Sequence, residues 1–99
     1  MPSRRIRLAL SVEGSIFPLD QQHRLIELGR VADEAGVDDL TVPEHVLMGS
    51  NASEQDPWST WEPRQLELPW PEPLLTLAAM AGVTRRLRLV SGVVIAPLR

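Results

Sequence analysis

The chain contains no cysteine, no lysine and no tyrosine. The first absence excludes a disulfide framework, a thiolate nucleophile and a cysteine zinc site. The second excludes Schiff-base chemistry on a lysine amine, and the third excludes a phenolic acid. Its only cations are arginines, ten against thirteen acids, for a net charge of −3. That balance lacks the basic stripe that nucleic acid or an anionic membrane would need. Long apolar runs are missing too. After Arg4, Arg5 and Arg7 comes only Leu8-Ala9-Leu10, too brief for a signal-peptide core. The longest run, Leu77 to Val83, falls well short of the ~18 residues of a membrane span. The expectation is a cytoplasmic protein with neither nucleic acid nor membrane as partner. Asn51-Ala52-Ser53 fits the glycosylation pattern, but without a secretory route it is read as accidental. Histidine is scarce: only His23 and His45 would titrate near neutrality without perturbation.

What is present describes one globular unit. The 99 residues are 43% hydrophobic and 23% charged, close to the average of soluble domains. Ile6, Leu8, Leu10 and Val12 alternate with Arg7, Ala9 and Ser11, which predicts a strand. Gly14, Ser15 and Pro18 break that pattern, and Asp20 offers a helix N-cap. From Gln21 to Ala35 the apolar residues Leu25, Leu28, Gly29, Ala32 and Ala35 recur at helical spacing. Arg24, Glu27, Arg30, Asp33 and Glu34 take the opposite, solvated face. Gly36 supplies the stop. Asp39 to Pro43 reads as a second strand. Residues 46–70 carry three Trp and three Pro without periodicity, a loop longer than ordinary connections and of the kind that is often functional. Pro71-Glu72-Pro73 opens a second helix, with Pro73 suited to its first turn. Leu74 to Val83 is apolar almost all round, which predicts burial, and Leu87 to Ile95 reads as a third strand.

Strands alternating with helices predict a parallel sheet with right-handed crossovers. Two architectures begin this way, a doubly wound dinucleotide fold and a (β/α)8 TIM barrel. The turn after the first strand, Ser11-Val12-Glu13-Gly14-Ser15, has one glycine where the dinucleotide fingerprint needs three. The long loop follows the C-terminal end of the second strand, the face on which barrel active sites are built. The predicted class is α/β: the first three strands and two helices (βαβαβ) of a TIM barrel, incomplete in this chain.

The stretch Ala32-Asp33-Glu34-Ala35-Gly36-Val37-Asp38-Asp39-Leu40-Thr41-Val42-Pro43-Glu44-His45 resembles the luciferase-like flavin and deazaflavin oxidoreductases. Members commonly show an Ala-Gly-Phe-Asp turn, then a strand ending in an acid and His. Pro73-Leu74-Leu75-Thr76-Leu77-Ala78-Ala79-Met80 and Thr84-Arg85-Arg86-Leu87-Arg88-Leu89-Val90-Ser91-Gly92-Val93 are similar to the family's second helix and third strand. Val37 stands where Phe is common, and Thr41 where Trp is common. The Pro43-Glu44-His45 ending looks most like the deazaflavin-using branch. The family's barrel is far longer than this chain, so the resemblance makes residues 1–99 the N-terminal part of one barrel domain, with the loop 46–70 as an insertion.

The resemblance implies an oxidoreductase or monooxygenase that uses deazaflavin (coenzyme F-420) or FMN on a small organic substrate. His45 would lie near the cofactor ring as a proton donor or hydrogen-bonding group. An imidazole titrating near ~6.5 suits that task, although position alone equally allows a loop histidine bonded to local backbone. Glu44 adjoins it. Neighbours on an extended segment point opposite ways, so one of the two faces the site and the other the rim. Gly92 and Val93 correspond to a family bulge with a non-prolyl cis peptide against the ring, and Ala9 and Ser11 are small enough to leave room for it. No metal site is expected. The alternatives are a non-catalytic truncated fragment and a small βαβαβ binding module. Open strand edges predict self-association into a homo-oligomer.

Overall fold

The structure, a computed structural model, describes residues 5–12, 16–44 and 70–98. The long loop, except Trp70, lies outside them, as does His45. Three strands form one parallel sheet in the order β1 (Ala9–Ser11), β2 (Asp39–Val42), β3 (Arg88–Ser91). Helix α1 (Arg24–Ala35) connects the first pair, and α2 (Pro73–Ala81) precedes the third strand. The βαβαβ order expected from the periodicities is present; the closed barrel remains an expectation. Among the described residues no helix is long and apolar enough to cross a membrane.

Register fixes the two faces of the sheet. Ala9, Asp39 and Arg88 form one row, and Ser11, Thr41 and Val90 form another. Side chains alternate along each strand, so these rows share a face, while Leu40 and Val42 take the other. Leu40 and Val42 are almost fully buried and join Val12, Leu25, Ala32, Met80 and Leu87 in the core beneath the helices. At the helix crossing a Cβ on Gly29 would meet Cγ of Met80 at 2.9 Å, so the glycine lets α2 approach α1 closely.

Four local expectations need correction. Asp20 does not cap α1. Pro18 sets a 3-10 turn over Leu19–Gln21, and its carbonyl accepts from the Gln21 N–H at 2.9 Å. The helix starts only at Arg24, with His23 at its N-cap and no side-chain cap bond. The C-terminal end does follow the expectation: Gly36 is left-handed at φ 85° and closes the helix with Val37 N–H to the Ala32 carbonyl. At α2, Pro73 takes the first turn and the Glu72 carboxylate accepts the Leu75 N–H at 2.5 Å. This helix is half exposed rather than buried. Pro73, Thr76 and Met80 face the core, while Leu75 is 71% exposed, because the sheet and α1 cover only one side of it. The outer strands are shorter than their apolar patterns: pairing with β2 covers only Ala9–Ser11 and Arg88–Ser91.

Asp33 is the fourth correction. Assigned to the solvated face of α1, it is buried instead and accepts three backbone N–H groups, from Arg85 at 2.9 Å, Arg86 at 3.0 Å and Leu87 at 2.7 Å. It thereby ties the entry of β3 to the helix two elements earlier. The Arg85 N–H above all, with those of Arg86 and Leu87, holds its carboxyl below the usual carboxylate range against the opposing effect of burial.

Candidate functional site

The sheet has two chemically different ends. At the N-terminal ends of the strands lie the charges. Asp39 accepts from Arg7 at 3.0 and 3.2 Å and also from Arg88, so one carboxylate joins β2 and β3 to the residues just before β1 on the face away from the helices. Burial raises the Asp39 pKa, but these two guanidinium groups outweigh it and hold the carboxyl below its ordinary range. A polar cleft of about 220 Å³ opens at the same end, lined by Arg5, Asp33, Gly36, Val37, Asp38 and Arg86. Three of its charged groups are engaged: Arg5 pairs with Asp38 at 2.5 Å, and Asp33 holds the backbone before β3. These are stabilising contacts at the end opposite to barrel chemistry.

The C-terminal end carries the small residues. Ser11 is exposed and lies level with Thr41 on the face opposite the helices. Thr41 in turn meets Gly92, where a Cβ would stand 2.5 Å from the threonine Cγ2. A side chain at 92 would therefore have to displace the threonine methyl or the local backbone. Thr41 is also the position that departs from the common Trp, and a Thr there keeps this surface shallow. The peptide between Gly92 and Val93 is cis, the conformation that the resemblance implied for this bond. Val93 is 68% exposed beyond it.

The structure thus brings Ser11 and Gly92 together through Thr41, with Val93 adjoining. Ala9 shares the face but sits beside the Asp39–Arg88 pair, about 6–7 Å nearer the other end by strand rise. Glu44 is buried at 4% exposure, and its Oε2 accepts the N–H of Ile95 in the segment after β3. That contact was not legible in the sequence. A carboxylate immediately past a strand of buried residues was its only signal.

This surface passes a simple test of fit for a planar ring. Ser11, Thr41 and Gly92 project little, no described helix covers them, and the Asp39–Arg7–Arg88 cluster stands at the opposite end of the strands. Among the described residues no group of three or more acids and histidines could hold a metal ion.

The family model of the luciferase-like monooxygenases matches residues 5–99. The chain belongs to that family. Membership makes it part of a flavin-dependent oxidoreductase or monooxygenase class that acts on small molecules. No curated protein and no solved structure matches the chain.

Proposed function

We propose that the full-length protein is an oxidoreductase that uses a deazaflavin or FMN for hydride transfer to or from, or oxygenation of, a small organic substrate. In this reading residues 1–99 are the N-terminal part of one (β/α)8 barrel, with 46–70 an insertion after β2, in a cytoplasmic enzyme. The observation that carries it is the shallow shelf of Ser11, Thr41 and Gly92 at the C-terminal end of the sheet, in a member of a flavin-using family. The Pro43-Glu44-His45 ending supports deazaflavin over FMN.

The bound cofactor would supply the redox chemistry, and the protein orientation and exclusion of water. Gly92, Val93 and Ser11 would form the wall against the ring, with Ala9 at its margin. His45, which lies outside the described residues, would hold or move a proton at its imidazole nitrogen. For residues 1–99 on their own, the edges of β1 and β3, unpaired among the described residues, with Ile6 91% and Leu8 61% exposed, support self-association as a homo-oligomer.

The test is equilibrium titration of the full-length protein with FMN and with deazaflavin, read by cofactor fluorescence. Saturable binding of the deazaflavin, tighter than FMN, is the expected result. A flat response to both would remove the reading. Preference for FMN would correct the branch and leave the class intact.

A further inference from the structure

Gly92 and the residues after it are held from one side by three residues of a single segment. Thr41 packs its Cγ2 against Gly92, the Val42 carbonyl accepts the Gly92 N–H at 3.0 Å, and the Glu44 carboxylate accepts the Ile95 N–H. The first two belong to the β2 ladder and its packing. The third does not. It is a buried charged side chain reaching across to a backbone amide of a segment that pairs with no strand. A carboxylate is a stronger acceptor for such an amide than a neutral group, and its loss would leave a part-buried N–H without this partner.

We infer that Glu44 is a positioning residue: by holding the Ile95 amide it fixes Gly92–Ile95 as the wall against which the cofactor ring rests. The inference rests on the cofactor reading above. It differs from a proton-transfer role for Glu44, because here the carboxylate is occupied by the protein's own backbone and acts through Gly92 and Val93. What matters chemically is an acceptor oxygen at this place, so an amide should largely replace the acid.

The experiment compares Glu44→Ala and Glu44→Gln with wild type in the full-length protein. Hydrogen exchange over residues 92–98 reads the clamp without any cofactor. Titration with FMN and deazaflavin reads the wall, and the absorbance of the bound cofactor reads its surroundings. Glu44→Ala should speed exchange in 92–98, weaken cofactor binding by about tenfold and shift the bound spectrum; one lost bond to a charged acceptor is of that size. Glu44→Gln should recover most of both effects. If the alanine variant fails to fold, the glutamine variant still decides. A Glu44→Gln chain with wild-type exchange and binding, but with one limb of its pH–rate profile lost, would make Glu44 a proton-transfer group and overturn the inference. Unchanged exchange in Glu44→Ala would overturn the clamp. Faster exchange with unchanged affinity would overturn the wall. A wild-type protein that binds neither cofactor would remove the cofactor reading itself, and the positioning role with it; that failure shows before any variant is made.

Discussion

Thr41 and Gly92 are in contact across the β2–β3 pair so closely that residue 92 has no room for a side chain: a Cβ there would lie 2.5 Å from the threonine Cγ2. The contact joins the end of the central strand to the segment proposed to face the cofactor. Gly92→Ala must push Thr41 or its own backbone aside, and overpacking of this kind costs about 1–3 kcal/mol. Thr41→Ser removes the offending methyl. The double variant should recover much of the stability lost in Gly92→Ala, as read by urea unfolding in a double-mutant cycle. Simple additivity would show that the two residues do not press on one another.

Two buried carboxylates make the fold sensitive to acid. Asp33, held by three backbone N–H groups, and Asp39, held by Arg7 and Arg88, both have folded pKa values below the ordinary one. Their stabilisation is therefore complete above the unfolded aspartate value of about 4, and is lost as pH falls through the lower folded values. The urea midpoint should stay level from pH 7 to about pH 5 and then drop. Asp33→Asn and Asp39→Asn should each lower the midpoint at pH 7 and flatten the acid limb. Glu34→Gln, on the exposed face of α1, should do neither. A wild-type midpoint that holds steady to pH 3 would contradict the assignment.

How far these features were legible depended on how local their causes are. The strand and helix order followed from alternation in 6–12 and from helical spacing in 21–35. Gly36 and Pro73 punctuated the helices as their backbone preferences dictate. Asp33 was not legible, because the amides it holds come 52 to 54 residues later. A helical pattern sees only its own turn, and there Asp33 looks like its charged neighbours. The exposed face of α2 was missed for a related reason: an apolar helix reads as buried, and only tertiary contacts say which side is covered. On the site face, Ser11 and Gly92 could be named as small residues near strand ends. That Thr41 joins them, and that Glu44 is bound to Ile95, needed the register.

The two histidines set a proposed functional position against a surface one. His45 follows Glu44 at the end of the β2 segment, and a proton donor there contributes typically 10²–10⁴-fold to rate. In the full-length protein His45→Ala should lower turnover by about that factor with the unfolding midpoint unchanged. His23, exposed at the start of α1, should be silent when replaced by Ala. Turnover at the wild-type level in both variants would return His45 to an ordinary loop histidine.

The central claim, that the sheet face opposite the helices at Ser11, Thr41 and Gly92 receives the cofactor ring, is tested most directly by filling it. Ser11 is exposed and takes no part in the core, so Ser11→Phe should leave the unfolding midpoint and the far-ultraviolet spectrum as they are. The phenyl group would occupy the surface level with Thr41. The measurement is the dissociation constant of the full-length protein for deazaflavin and for FMN, wild type against Ser11→Phe. The account predicts that the variant binds at least about tenfold more weakly, on the scale of blocking one close apolar contact surface. Equal affinity in a folded Ser11→Phe protein would contradict it, and would place the cofactor elsewhere.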